Sequence, residues 1–230
     1  MKNKQKKELI ESARRFIEAE GEGILTSYEE SSKLLLCWLE VLRTHFLTKT
    51  ADKLLFAVSS SVREAAALSA LGLVRPALFS LRAQADLLLS WLYFKDHPIE
   101  YDNLCRTGDG FVLKKEVLKY LTDYYPGFSE RLGVLNATAT RSELDVYRLL
   151  SAHVHSQSPF VIAEVKELKD IVRPKEISIQ CARLQKDVGE YLNDILLSVG
   201  LLSEAATPET ISLSLIGRLK TQGQRSVMFK

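Results

Sequence analysis

Cysteine is scarce in this chain, with 3 in 230 residues. Cys37, Cys105 and Cys181 are odd in number and far apart. No Cys-x-x-Cys pair exists, so neither a zinc ribbon nor a thioredoxin-type redox site is supported. Buried, reduced thiols in a cytosolic protein fit that pattern. Glycine (11) and proline (6) are too few for a collagen-like or low-complexity chain. A surplus of one charge is missing as well. The 31 Lys and Arg stand against 29 Asp and Glu, a net charge of +2, which excludes the strongly basic coat of a bulk nucleic-acid binder. With 46% hydrophobic residues and so small a net charge, disorder is not expected. Long apolar runs are also lacking. The longest, around 87–94 and 195–202, are interrupted and fall short of the roughly 18–20 residues that span a bilayer. The basic start, Met1 to Glu8, is not followed by the apolar stretch of a secretory signal. A soluble, cytoplasmic protein without a membrane partner is the expectation.

What is present is helical periodicity, with no sustained strand alternation. Leu9, Ile10, Ala13, Phe16 and Ile17 recur at helical spacing over about 4–19, and Gly21-Glu22-Gly23 is expected to break that helix. A second helix should run from about 27 to 47, and a third from Thr50 to about 71, with Gly72 just past its end. Pro76 suits the first turn of a fourth. Its body, Ala77–Phe94, is apolar nearly all round, which implies burial on several sides. His97-Pro98 ends it. Shorter helices are expected near 100–106 and 111–124, around the turn Gly108-Asp109-Gly110. Further helices are expected at 142–155 and 176–199, and a short one after Thr207-Pro208. The predicted architecture is all-α, one helical domain over 1–230 with peripheral short helices. Arg218 to Lys230 carries bases and no acid, and reads as a solvated basic tail.

Several chemistries have no motif to carry them. There is no Gly-x-x-x-x-Gly-Lys loop, no Gly-x-Gly-x-x-Gly after a strand, and no Gly-x-Ser-x-Gly elbow. Glu-x-x-His pairs for a di-iron bundle are missing, and His153 and His155 have no nearby Cys or carboxylate to complete a metal set. No cofactor or metal is expected. The run Tyr147-Arg148-Leu149-Leu150-Ser151-Ala152-His153-Val154-His155 is more informative. At about 100° per residue, Arg148, Ser151 and His155 share one helix face, while His153 points away. Histidine exchanges protons near neutral pH, and a guanidinium grips phosphate oxygens in pairs. Such a face suits RNA cleavage without a metal. The alternative is an Arg and two His that merely cap a helix end. The fourth helix adds a polar stripe, Arg75, Arg82, Asp86 and Ser90. Arg82 and Asp86 are either a structural ion pair or part of a site in which Asp86 orients a histidine.

An all-helical domain with Arg followed four to six residues later by His resembles the HEPN superfamily of prokaryotic ribonucleases and toxins. The resemblance covers about residues 50–200 and is carried by Tyr147, Arg148, Ser151, His153 and His155, with Arg75–Phe94 as the comparable Arg-bearing helix. It implies a metal-independent endoribonuclease in a toxin or antiviral-defence setting. Arg148 would stabilise the phosphate, and His155 or His153 would act as acid or base. Tyr147, Ser151, Asp86 and Arg82 would support them. It also implies a homodimer in which two motifs meet. Leu149 stands where the family commonly has a polar residue, which favours a second reading, a non-catalytic helical module that binds a protein partner.

Overall fold

The computed structural model describes residues 2–157 and 164–229. The fold is all-α, 75% helical, with no strand among the described residues. Among the described residues ten α-helices follow one another: α1 (Lys2–His45), α2 (Lys53–Ala70), α3 (Val74–Phe94), α4 (Pro98–Thr107), α5 (Lys114–Tyr124), α6 (Phe128–Ala137), α7 (Val146–Val154), α8 (Lys175–Val199), α9 (Glu209–Leu213) and α10 (Gln222–Met228). A 3₁₀ turn, Leu168–Ile171, lies between α7 and α8. No described helix is long and apolar enough to cross a membrane.

The central packing joins α2 to α3, α1 to α2 and α8, and α3 to α7 and α8. Trp38, Trp91, Tyr28, Phe94 and Phe128 are fully buried in the core. Both indole N–H groups are satisfied there, Trp38 donating to Asn193 Oδ1 at 2.8 Å and Trp91 to Asp52 Oδ1 at 3.3 Å. The cysteines are all free, but only Cys181 is buried; Cys37 is half-buried and Cys105 exposed.

Four expectations are corrected. The pair Gly21 and Gly23 does not break α1, which runs through both as one 44-residue helix. Gly21 is buried where α1 passes the end of α2, its missing Cβ lying 3.9 Å from the Ala70 carbonyl oxygen. Packing there outweighs the weak helix propensity of glycine. Helix α6 was not foreseen. Helix α7 begins at Val146 rather than near 142, because the N–H groups of Ser142 and Glu143 each donate at 3.0 Å to the Asp187 carboxylate on α8. Lastly, the basic C-terminal segment is not a tail throughout: Arg218 is 3% exposed, and α10 packs on α6.

Burial on α8 exceeds even that on α3, with 16 of 25 residues buried against 12 of 21. Many of those on α8 are polar, and most find a partner, Ser178 Oγ being an exception. Gln185 exchanges two side-chain hydrogen bonds with Gln84 of α3, at 2.8 and 2.9 Å. Asp194 accepts from Arg218 Nη1 and Nη2 at 2.8 and 2.9 Å and from Arg141 Nη1 at 2.7 Å. Arg218 also donates to the carbonyls of Thr138 and Leu135, at 3.0 and 2.8 Å. Glu190 accepts from Thr140 N and Oγ1 and from Arg141 N, at 2.7, 2.5 and 3.2 Å. These bonds hold the Glu190 carboxyl below the usual carboxylate range despite the opposing effect of burial.

Two outcomes follow. Nothing lies within 4 Å of a Cβ placed on Gly23, so Gly23→Ala should stabilise the chain by about 0.5–1 kcal/mol in urea unfolding. A broken helix at that point would instead leave stability unchanged or reduced. Arg218→Ala leaves the buried Asp194 carboxylate with one cation instead of two, and should cost on the order of 3 kcal/mol in the same measurement. A solvated tail residue would change stability by less than about 0.5 kcal/mol.

Candidate functional site

Helix α7 is nine residues long and buries only Val146 and Leu150. Polar contacts complete its attachment to α3, and they run antiparallel. Tyr147 Oη donates to Asp86 Oδ1 at 3.0 Å. Arg82 Nε donates to Ser151 Oγ at 3.1 Å, and that hydroxyl donates in turn to the Tyr147 carbonyl at 2.8 Å. Arg75 Nη2 donates to Ser156 Oγ at 2.8 Å, just beyond the helix. Arg82 also forms an ion pair with Asp86 and stacks over the Tyr147 ring, with Cζ 3.6 Å from its centroid. The stripe expected on α3 therefore faces α7. Asp86, however, takes the Tyr147 hydroxyl and orients no histidine. Burial, and then the charge of Asp86, push the Tyr147 phenol up to about 12.

The N-terminal end of α7 is capped by a side chain and its C-terminal end by the backbone. Asp145 Oδ1 accepts from Arg148 N at 3.2 Å. The same carboxylate lies 3.5 Å from Arg148 Nε and 3.8 Å from Lys114 Nζ. Lys114 in turn sits 4.4 Å over the Tyr147 ring and 5.3 Å over that of Tyr191. Burial pulls the Lys114 amine down from its ordinary range, and Asp145 opposes that. At the other end His155 is the cap residue, and Gln157 N donates back to the Ala152 carbonyl at 3.0 Å. Ser156 between them has φ of 50°, a left-handed conformation that glycine adopts more readily. Its hydroxyl contact with Arg75 gives a reason for a serine at that strained position.

Of the residues expected to act, Arg148 is open, its side chain 82% exposed. His155 is exposed, and His153 and Ser151 are half-buried. Ser151 turns toward α3 while Arg148 faces solvent, so the shared face expected from helical spacing is divided between two environments. Among the described residues, no hydrogen bond joins Arg148 to either histidine. Burial and then the nearby Arg75 guanidinium push the His153 imidazole down. Arg75, a member of the expected stripe, is thus a neighbour of the site, and Lys114 is one that the sequence reading left out. The seven-residue interval from Arg75 to Arg82 put the first on that stripe; nothing in the sequence marks Lys114.

Residues 172 and 173, just before α8, are fastened to the end of α2. Arg173 N donates to the Gly72 carbonyl at 2.9 Å, and Gly72 has φ of 75° with Val172 Cγ1 2.7 Å from where a Cβ would sit. No group of three or more His, Cys, Asp or Glu able to hold a metal occurs among the described residues. The fold and site define an all-α bundle with a short, polar-anchored helix carrying Arg and His at its surface. No protein-family model, curated protein or solved structure matches the chain.

His153 gives a pH signature. Its folded-state pKa lies below the unfolded value, so protonation favours the unfolded chain. Stability from this group is complete above the ordinary imidazole value near 6.5 and is lost as pH falls below it, until the folded-state pKa is passed. Arg75→Ala should move the His153 NMR titration upward and flatten that loss. An unchanged titration would mean that Arg75 does not act on His153.

Proposed function

We propose that the chain is a metal-independent endoribonuclease of HEPN type, acting through the exposed end of α7. The observation that carries this reading is the combination of a fixed helix with solvent-exposed Arg148 and His155. Tyr147 and Ser151 are spent on holding α7 to Asp86 and Arg82. Arg148 and His155 stay in solvent, and His153 is kept neutral beside Arg75. Arg148 would hold a non-bridging phosphate oxygen and offset charge on the pentacoordinate phosphorus. His153, lacking its proton at neutral pH, would take the proton of the 2′-hydroxyl. As that oxygen bonds to phosphorus, the bond to the 5′-oxygen breaks, and His155 would supply the proton to the leaving group. The products are a 2′,3′-cyclic phosphate and a 5′-hydroxyl. The toxin or antiviral-defence setting and the composite dimeric site rest on the resemblance of the motif.

A second reading is a non-catalytic helical module that binds a protein partner. The ion pair between Arg148 and Asp145 favours it, because the guanidinium is then partly engaged. Total RNA incubated with the purified chain separates the two. Cleavage should survive EDTA, and His153→Ala or His155→Ala should each lower the rate by about 10²–10⁴. Arg148→Lys should not rescue, because an ammonium keeps the charge but loses the planar two-point grip. Cleavage at the wild-type rate in the double histidine variant, or its loss with EDTA, would overturn the nuclease mechanism. No cleavage under any condition leaves the interaction module as the better reading.

A further inference from the structure

Helix α3 is buried along nearly its whole length except beside the candidate site. Of its 21 residues only Arg75, Pro76 and Phe79 are exposed, and Phe79 is 39% exposed. Trp91 and Phe94 of the same helix are fully buried. A single exposed ring on a protein surface needs no explanation, but this one sits on a particular seam. The antiparallel contacts of Asp86 with Tyr147, Arg82 with Ser151 and Arg75 with Ser156 set Phe79 level with residues 152–154 of α7. At about 100° per residue, Phe79 stands about 40° round α3 from Arg75, while Arg148 and His155 stand about 60° and 40° round α7 from Ser151. Two right-handed helices running in opposite directions turn these rotations to the same side of the seam between them. Phe79, Arg148 and His155, all exposed, therefore border one strip. Arg75 edges it as well, its Cζ 5.6 Å from the centroid of the Phe79 ring.

We propose that Phe79 is a stacking platform for one base of a single-stranded RNA whose neighbouring phosphate lies at Arg148. The inference deepens the ribonuclease reading and rests on it. The strip joins a flat ring to guanidinium groups, and a nucleotide offers both a π-face and an anion. One guanidinium covers at most one face of the ring, which leaves the other for a base. Arg148 precedes the level of Phe79 by four to six residues, about 6–9 Å along the seam at 1.5 Å per residue, a span that one nucleotide bridges. An apolar protein segment would use the ring and not the guanidinium groups. Duplex RNA keeps its bases stacked on one another, so the platform selects single strands. Every base has a π-face, so selection for sequence is weak.

Fluorescence anisotropy with a labelled 2′-O-methyl hexanucleotide tests the platform, because that strand has no 2′-hydroxyl to attack the phosphate. Phe79→Ala should weaken binding about 5–150-fold, and Phe79→Leu, apolar but without a flat face, nearly as much. Phe79→Trp should bind at least as tightly as wild type. Its indole emission should be quenched by the strand, whereas Trp38 and Trp91, both fully buried, should not respond. The same strand in a duplex, or with abasic sugars in place of its nucleotides, should bind more weakly and should not distinguish wild type from Phe79→Leu. Single-strand affinity that survives Phe79→Leu, or an equal loss on the abasic strand, would overturn the platform and leave the cleavage mechanism, which the EDTA and histidine experiments test. A wild type that binds no single strand would overturn it too. Cutting of the unmodified strand by that same protein would then show that the nuclease reading stands without the platform.

Discussion

The attachment of the loop before α7 to buried carboxylates on α8 is the constraint on which the candidate site depends. Asp194 is 1% exposed and shared by Arg141 and Arg218, while Asp187 and Glu190 accept the backbone N–H groups of residues 140–143. A buried ion pair is weak evidence for net stability, since well-packed apolar side chains of equal volume often serve as well. Its effect here is positional. Each carboxylate has a fixed azimuth on α8, so the loop 138–145 has one place to lie, and Asp145 is delivered where it can cap α7. Arg218 fastens the C-terminal segment to the same point, donating to carbonyls at the end of α6 as well as to Asp194. Elements that are far apart in the chain thus share one electrostatic node.

Much of the helical framework was legible in the sequence because apolar periodicity and helix-ending residues record burial directly. Gly72 lies two residues past the observed end of α2, and Pro98 of His97-Pro98 is the first residue of α4. The failures share a cause, which is tertiary context overriding local signal. Gly21 looks like a breaker until Ala70 is seen beside it. The start of α7 looks like Ser142 until Asp187 claims its N–H. Arg218 reads as a loose base because its partners lie 24 residues back on α8 and some 80 residues back on α6. Polar residues on α8 carry no periodic label that distinguishes a solvated carboxylate from a buried, paired one.

The site itself was legible in its members and less so in their arrangement. Helical spacing placed Arg148, Ser151 and His155 on one face, and Arg82 and Asp86 on a stripe, and these two elements do meet. Spacing gives an azimuth, however, and not the depth to which each position is buried. Ser151 falls on the boundary with α3 and is consumed there, while Arg148, 60° further round, escapes into solvent. The supporting residues and the exposed ones have therefore separated into two roles that the motif alone does not distinguish.

That separation bears on how the site should respond to change. With only Val146 and Leu150 buried, α7 has a smaller apolar anchor than any of the long helices. Its register on α3 is set by Tyr147–Asp86, Ser151–Arg82 and Ser156–Arg75, three contacts that all involve a charged group on α3. Hydrogen bonds to charged groups are stronger than neutral ones and more exacting in direction. A helix held this way keeps its azimuth well but opens at low cost once a charge is removed, since little apolar surface resists the opening. The position of Arg148 and the histidines is accordingly governed by electrostatics on the neighbouring helix, and only weakly by the packing of the core beneath it.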